Sequence, residues 1–181
     1  MNPAYSVIFF TTASGAGYGL LAILGLIGAL TGSPLPTLFA LVAMVIALAL
    51  VTAGLLSSTF HLGHPERAWR ALSQWRSSWL SREGVAAILT YPPAFLFGIV
   101  VSGLYDMPQA IAPLGLITTL MAMITVFTTG KIYATLTTIR AWNQPLTVPN
   151  YLIFALATGA SLALTLLSVF NFHTGLLSPF A

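Results

Sequence analysis

Five long hydrophobic stretches, separated by short polar segments, run along this 181-residue chain. Their approximate limits are 6–31, 37–60, 81–105, 111–140 and 151–170. Each exceeds the roughly 18 apolar residues that mark a candidate membrane-spanning helix. The pattern therefore predicts an all-α fold, a polytopic transmembrane bundle of about five spans, in which residues 1–181 form a single domain.

Glycines are concentrated in the first stretch, where Gly15 and Gly19 stand four residues apart. Small residues at that spacing let helix backbones approach closely, so they predict helix packing. A phosphate-binding loop is excluded, because no strand precedes the glycines and no Lys-Ser or Lys-Thr pair follows them. The tripeptide Phe-Thr-Thr occurs at both 10–12 and 127–129, which is too short a match to indicate an internal repeat.

The composition excludes a soluble protein. Hydrophobic residues make up 57% of the chain and charged residues only 5%, whereas soluble domains have roughly 25% charged residues. The net charge of +3 is small and most basic residues occupy one connector, so we expect contact with membrane lipid and not with nucleic acid. Cysteine is absent, which removes cysteine-based disulfides and iron–sulfur ligands from this chain.

Charged and aromatic residues are concentrated in the connector 61–83. It holds six of the nine charged residues, two of the three histidines and three of the four tryptophans. If 68–80 is α-helical, its apolar residues share one face and predict an amphipathic interfacial helix: Ala68, Leu72, Trp75 and Trp79. Ser81 is the expected N-cap of the next helix, with Glu83 in the first turn.

The two ends of this connector carry candidate acid–base residues. His61 ends the second stretch and Glu83 begins the third, so antiparallel packing would bring them together. Histidine titrates near neutral pH and a carboxylate transfers protons, so the pair could bind and protonate a redox ligand. The structural alternative is an interfacial cap and a helix-terminal charge. Arg76 projects toward the same apolar side, where it could pair with Glu83 or with a ligand.

Lys131 is a further candidate within the fourth stretch. It lies nine residues before Arg140, hence about 13 Å deeper in the membrane if the helix is continuous. An intramembrane lysine indicates a functional site, although its long side chain can also extend back to the interface. Tyr133 is close by in sequence and offers a hydroxyl.

Helix alternation places the N-terminus and the connectors 61–83 and 142–149 on one side of the membrane. Basic residues are concentrated there, so the positive-inside rule predicts that this side is cytoplasmic. His173 follows the fifth stretch and lies on the opposite side from His61 and His64. A bis-histidine haem needs two ligands at similar depth, so we expect no haem in this chain.

Three segments carry a resemblance to a known family. They read Asn-Pro-Ala-Tyr-Ser from residue 2, His-Leu-Gly-His-Pro-Glu-Arg-Ala-Trp at 61–69, and Ser-Gln-Trp-Arg-Ser-Ser-Trp-Leu-Ser-Arg-Glu at 73–83. With them the chain resembles the membrane-anchor subunits of the DMSO reductase family, which include the anchors of membrane-bound cytoplasmic sulfite dehydrogenases. The family usually has about eight spans, so five spans indicate either a portion of a longer anchor or a short variant.

The resemblance implies a haem-free, non-catalytic subunit in the bacterial inner membrane. Its exchangeable substrate would be a quinone, menaquinone or ubiquinone. Electrons would pass between that quinone and a four-cluster iron–sulfur subunit, which serves a molybdopterin catalytic subunit. In the family the histidine and glutamate of these motifs are implicated at the quinone site, which here are His61 and Glu83. The complete candidate quinone-binding set is His61, Arg67, Arg76, Glu83, Lys131 and Tyr133.

A small transporter or channel-like protein is the alternative function, with Lys131, His61 and Glu83 as a polar path. Transport predicts polar residues distributed through the interior of the spans, and these are few apart from Lys131 and scattered Thr and Ser. The clustering of polar groups at one surface favours the anchor. Both directions of electron flow remain open, and the basic cytoplasmic side slightly favours sulfite as the substrate of the complex.

Overall fold

The structure, a computed structural model, describes residues 5–59 and 65–170, and of residues 65–68 and 71 it describes the backbone alone. Within these ranges the chain forms five α-helices and no strand. The helices are α1 (Tyr5–Thr31), α2 (Thr37–Thr59), α3 (Trp79–Val101), α4 (Pro108–Ala134) and α5 (Thr147–Val169); a 3₁₀ helix, Pro65–Gln74, precedes α3. All five α-helices are long and apolar enough to cross a membrane, which confirms the predicted fold class.

Helix α1 is the centre of the bundle. It packs along α2, α4 and α5, whereas α3 lies mainly on α4 and makes few contacts with α2. Leu20, Leu21 and Leu24 of α1 are fully buried and meet Phe97 of α3 and Ile111 of α4 in the core. The side chains that remain exposed on the helices are mostly large and apolar, which suits surfaces that face lipid.

Two of the contacts of α1 depend on glycine. A Cβ atom at Gly17 would lie 2.7 Å from the carbonyl oxygen of Ala47 in α2. A Cβ atom at Gly25 would lie 2.6 Å from the carbonyl oxygen of Gly115 in α4. Side-chain Cβ atoms do not approach backbone so closely, so only glycine permits these separations. The predicted packing role of the glycine-rich stretch is confirmed at these positions.

The contact between α1 and α5 is equally close. Gly19 faces Gly159, and a Cβ atom on either would overlap the backbone of the opposite helix. Gly15 is the exception, because nothing lies within 4 Å of a Cβ placed there. The expectation that Gly15 and Gly19 act together as one packing face is therefore wrong. Helices α1 and α5 touch at Gly19 and have separated by the level of Gly15.

Hydroxyl groups add hydrogen bonds between helices. The Thr119 hydroxyl of α4 donates to the carbonyl oxygen of Ala22 in α1, at 3.1 Å. The Ser57 hydroxyl of α2 donates to the carbonyl oxygen of Ser6 in α1, at 3.0 Å. Such bonds between small polar residues and neighbouring backbone supplement van der Waals packing in membrane bundles.

The amphipathic α-helix predicted over 68–80 is not formed. The 3₁₀ helix ends at Gln74, whose carbonyl oxygen accepts the N–H groups of Ser77 and Ser78 at 3.0 and 2.9 Å. The Arg82 guanidinium donates to the carbonyl oxygens of Trp75 (3.0 Å) and Arg76 (2.7 Å). These carbonyls would otherwise accept from the next helical turn, so the arginine stabilises a break in the helix.

Helix α3 begins two residues earlier than predicted. Its N-cap is Ser78, in an extended conformation and without a side-chain capping bond, and the first helical bond joins the Arg82 N–H to the Ser78 carbonyl at 3.1 Å. Ser81 is buried inside the first turn and is not the cap. Glu83 consequently lies in the second turn, where it points into the bundle and does not serve as a helix-terminal charge.

Helix α4 ends at Ala134, six residues before Arg140. The Asn143 side chain donates to the Ala134 carbonyl at 2.6 Å, and the Thr135 hydroxyl donates to the Lys131 carbonyl at 2.9 Å. Side-chain bonds of this kind compete with continuation of a helix. Lys131 therefore occupies the last turn of α4, and the predicted 13 Å difference in depth from Arg140 does not hold, because it required a continuous helix.

We predict that Gly19→Ala destabilises the bundle, whereas Gly15→Ala does not. The new methyl group at Gly19 would force α1 and α5 apart, and such overpacking costs about 1–3 kcal/mol. The same change at Gly15 meets no neighbour and gains the higher helix propensity of alanine, about 0.5–1 kcal/mol. Thermal unfolding of the two variants in one detergent measures the difference, and equal midpoints would contradict the close approach at Gly19.

Candidate functional site

A buried carboxyl group is the centre of the candidate site. Glu83 of α3 is only 5% exposed, and its Oε1 accepts a hydrogen bond from the Thr129 hydroxyl of α4. The Thr129 hydroxyl also lies 3.0 Å from the Thr125 carbonyl. A hydroxyl has one proton, so it bonds both oxygens at once only when Glu83 itself supplies a proton. The Glu83–Thr129 pair can therefore hold or release a proton inside the bundle.

Three tyrosine side chains interact electrostatically with this carboxyl group. Tyr18 of α1, Tyr133 of α4 and Tyr151 of α5 all lie within electrostatic range of Glu83. Tyr18 is 2% exposed, and its hydroxyl has no hydrogen-bond partner among residues 5–59 and 65–170. A buried hydroxyl that lacks a partner costs about 1–3 kcal/mol, so this one is a donor available to an additional group.

A cavity of about 480 Å³ lies between α1, α4 and α5, next to the Glu83–Thr129 pair. Its wall combines hydroxyl and amide groups with aromatic rings. The lining residues that matter below are Thr11, Gly15 and Tyr18 of α1, Thr129 of α4, and Tyr151 and Phe154 of α5. Thr129 belongs to both features, because its hydroxyl binds Glu83 and its side chain lines the cavity.

The described cations gather at one end of the bundle, which we call the basic end: Arg70, Arg76, Arg82, Lys131 and Arg140. The Arg82 guanidinium lies 4.3 Å from the ring centroid of Trp79, and Lys131 Nζ lies 5.7 Å from the same ring. Trp79 thus holds two cations beside the start of α3. The opposite end carries Asp106, which is exposed.

Tyr133 belongs to an aromatic layer at the basic end. Its ring stacks on Tyr151 at 5.4 Å between centroids and meets Trp142 edge-on at 5.0 Å. Tyr151 and Trp142 line the cavity, whereas Tyr133 does not. That Tyr133 offers its hydroxyl to a ligand stays a prediction. Lys131 instead lines a second cavity, of about 430 Å³, together with Phe127 and Asn143.

Of the remaining predicted residues, two have side chains outside the part of the chain that the structure describes and one has a known position. His61 lies outside the described residues, and the side chain of Arg67 does too. Arg76 is exposed and stacks on Trp75 at 5.5 Å, and no ion pair joins it to Glu83 within the described side chains. Helix α3 packs mainly on α4 and makes few contacts with α2, and the predicted approach of Glu83 to His61 stays a prediction.

Sequence reasoning missed Thr129 and Tyr18. One signal pointed to the threonine, since the Phe-Thr-Thr tripeptides at 10–12 and 127–129 both contribute to the cavity wall, through Thr11, Thr12 and Thr129. No signal marked Tyr18, which is one aromatic residue within a hydrophobic helix. Among the side chains that the structure describes, no three of His, Cys, Asp or Glu lie together as a metal site.

Comparisons with known proteins show which proteins this chain is similar to. A family model described as DMSO reductase anchor subunit (DmsC) matches residues 1–181. A sulfite dehydrogenase subunit from Allochromatium vinosum is 38% identical over 178 residues, which are 90% of this chain and 54% of that protein. An anaerobic dimethyl sulfoxide reductase chain from Haemophilus influenzae is 28% identical over 125 residues, 68% of this chain and 44% of that protein.

The chain spans about half the length of the curated relatives it matches. No solved structure matches it.

We predict that a water-soluble carbodiimide with an amine modifies Asp106 and spares Glu83. Asp106 is exposed in the loop before α4, whereas Glu83 is enclosed between α3 and α4. Peptide mass spectrometry of the detergent-solubilised protein measures both sites in one sample. Equal modification of the two carboxyl groups would show that Glu83 is open to water.

Proposed function

Because the chain belongs to the family of DMSO reductase anchor subunits, we propose that it is the quinone-reactive membrane subunit of a molybdopterin oxidoreductase. It is a multi-pass membrane protein of at least five apolar helices. In the proposed role it binds quinone or quinol from the bilayer and exchanges electrons with a partner iron–sulfur subunit. That partner connects it to the molybdopterin catalytic subunit.

The single observation that carries this proposal is the buried carboxyl group of Glu83. An ionisable side chain within a membrane span is costly and marks a functional site by default. Glu83 lies one turn inside α3, close to the basic end, and its hydrogen bond to Thr129 connects it to a cavity. In the family resemblance at 73–83, the glutamate implicated at the quinone site corresponds to Glu83, which supports the proposal.

Quinone chemistry requires such a group. Oxidation of a quinol releases two electrons and two protons, and reduction of a quinone takes up the same number. Electrons leave for, or arrive from, the iron–sulfur clusters of the partner. Protons need a titratable side chain near the ring oxygens, and a positioned carboxyl group provides general acid–base catalysis. Glu83 is the only carboxylate among the described side chains that lies inside the bundle.

The basic end supports the proposed orientation and docking side. It holds five described cations, whereas the opposite loops hold the exposed Asp106. By the positive-inside rule we place the basic end at the cytoplasmic face of the bacterial inner membrane. Trp69 and Trp75 are exposed there, at 66% and 52%, beside Arg70 and Arg76. These aromatic and cationic side chains suit both the lipid interface and an iron–sulfur partner.

Sulfite is the substrate that we propose for the complete complex. The sulfite dehydrogenase subunit matches at 38% identity over 90% of this protein, and the dimethyl sulfoxide reductase relative at 28% over 68%. Electrons would then flow from sulfite to quinone. The transporter alternative gains no support, since the Thr and Ser hydroxyls of the described spans mostly bond to carbonyl oxygens of their own helix.

We expect Glu83→Gln to slow quinone-linked turnover by roughly 100-fold or more, because losing a general acid or base commonly has an effect of that size. The amide keeps the shape and an oxygen that accepts from Thr129, so the complex should still assemble. Turnover is measured with the purified complex, its soluble substrate and a short-chain quinone.

Two controls accompany this variant. Asp106→Asn removes the exposed carboxylate at the opposite end and should leave quinone-linked turnover unchanged. An artificial electron carrier that reacts with the soluble subunits should give wild-type rates with Glu83→Gln, because it bypasses the membrane site. Wild-type quinone-linked rates in both Glu83→Gln and His61→Ala would mean that the site lies elsewhere.

A second expectation concerns the partners. Isolation of the tagged subunit from native membranes in mild detergent should bring an iron–sulfur protein and a large molybdenum-containing subunit. The preparation should oxidise sulfite in preference to reducing dimethyl sulfoxide, as assayed with the same quinone couple. A stable lone subunit that moves a solute across liposomes would contradict the proposal, and dimethyl sulfoxide reduction alone would contradict the choice of sulfite.

A further inference from the structure

We infer that the cavity between α1, α4 and α5 receives the quinone ring, with Thr129 as the residue that positions Glu83 toward it. This inference rests on the proposed function and deepens it. None of the four predicted residues whose side chains the structure describes (Arg76, Glu83, Lys131 and Tyr133) lines this cavity. The inference therefore assigns the ring a location within the bundle, between helices, and not on the connector at the membrane surface.

The shape of the cavity follows from how the helices cross. Helices α1 and α5 are in backbone contact at Gly19 and Gly159. Toward the basic end they separate, and the residues of each helix beyond that contact form the walls, 11–18 on α1 and 147–158 on α5. The volume of about 480 Å³ falls within the range of roughly 300–1,000 Å³ found for small-molecule sites.

The position of the cavity suits a lipid-soluble ligand. Thr12 of α1 and Phe154 and Thr158 of α5 line it and are themselves exposed on the sides of their helices. These helices are membrane spans, so the cavity opens along the bundle toward the bilayer. A ring could enter from lipid between α1 and α5 while its isoprenoid tail stays in the hydrocarbon.

The chemistry of the wall suits a ring that carries two oxygens. Tyr151, Trp142 and Phe154 provide aromatic surface, against which a planar ring can stack. Hydroxyl groups lie on the α1 and α4 sides, and the Tyr18 hydroxyl nearby has no partner among the described residues. Most pockets for small ligands have this combination, an apolar wall with a few polar groups that set orientation.

Thr129 connects the cavity to the buried carboxyl group. It lines the cavity and donates to Glu83, so Glu83 is one side chain away from a ligand in that space. When Glu83 is ionised, the Thr129 hydroxyl donates to it. When Glu83 is protonated, the carboxyl can donate to Thr129, and the threonine then donates to the Thr125 carbonyl. Thr129 thus holds the carboxyl group in place in both protonation states.

Photo-crosslinking tests the location directly. The probe is a short-chain azidoquinone, applied to membranes that contain the full complex and then to the same membranes with excess unmodified quinone. We expect light-dependent attachment at 11–18 of α1 or 150–158 of α5, prevented by the excess quinone. Protected attachment confined to the connector 65–82 would overturn the inference and leave the proposed function standing.

Two variants test the cavity by kinetics. Gly15→Leu places a side chain in open cavity space, where a Cβ meets no atom within 4 Å. We expect the KM for quinone to rise roughly tenfold or more, since a few methyl groups in a pocket change specificity by that amount. Ala157→Leu, which places the same leucine side chain at an exposed position of α5, is the matched control. An unchanged KM in Gly15→Leu would overturn the inference.

Thr129→Val should lower quinone-linked kcat/KM roughly tenfold, the effect expected from losing one hydrogen bond to a charged group. Thr129→Ser keeps the hydroxyl and should restore the rate. Thr118→Val is the control, because Thr118 is equally buried on α4 and its hydroxyl has no partner among the described residues. Equal losses of kcat/KM in Thr129→Val and Thr118→Val would show that Thr129 contributes only to packing.

These outcomes separate the inference from the proposed function. If Glu83→Gln is slow while Gly15→Leu and Thr129→Val are normal, the function stands and the cavity is not the quinone site. If quinone protects no residue from the azidoquinone and Glu83→Gln keeps wild-type rates, the proposed function fails together with the inference.

Discussion

The close approach of α1 to three neighbouring helices is the constraint on which the rest of the structure depends. Lipid tails are as apolar as the side chains of the bundle, so helices associate in a membrane through dense packing and a few hydrogen bonds. Glycine at 17, 19 and 25 lets α1 meet α2, α5 and α4 at backbone distance. Where the glycine contact between α1 and α5 ends, these two helices separate, and the cavity between α1, α4 and α5 lies in the space that results.

The polar site is built on the faces that this packing leaves available. Helix α3 packs mainly on α4, so Glu83 accepts a hydrogen bond from Thr129 and lies within electrostatic range of three tyrosines. A buried carboxyl group is costly unless it is hydrogen-bonded. The bundle provides that bond from a neighbouring helix, and the same threonine faces the cavity. Thr129 thus both binds the buried carboxyl group and lines the cavity proposed for the quinone.

The connector 61–83 has a structural role in addition to any role in docking. Arg82 closes the turn at 75–77 through two carbonyl oxygens and stacks on Trp79. That arrangement fixes where α3 begins and therefore which way Glu83 points. Arginine and tryptophan at a membrane boundary are often explained as lipid anchors alone. Here at least one arginine also positions the helix that carries the buried carboxyl group.

Hydrophobic periodicity and composition determined the all-α class, the five spans and the concentration of charge at one end, because a bilayer requires long apolar helices and excludes charge. The sequence also identified Glu83 as a candidate acid–base residue, since few charged residues occur in such a chain. Tertiary structure decided its partner. Whether α3 packs on α2 or α4 depends on how whole helix faces fit together, which residue spacing along one helix does not encode. Thr129, Tyr18 and the cavity come from three helices far apart in sequence, and only their packing brings them together.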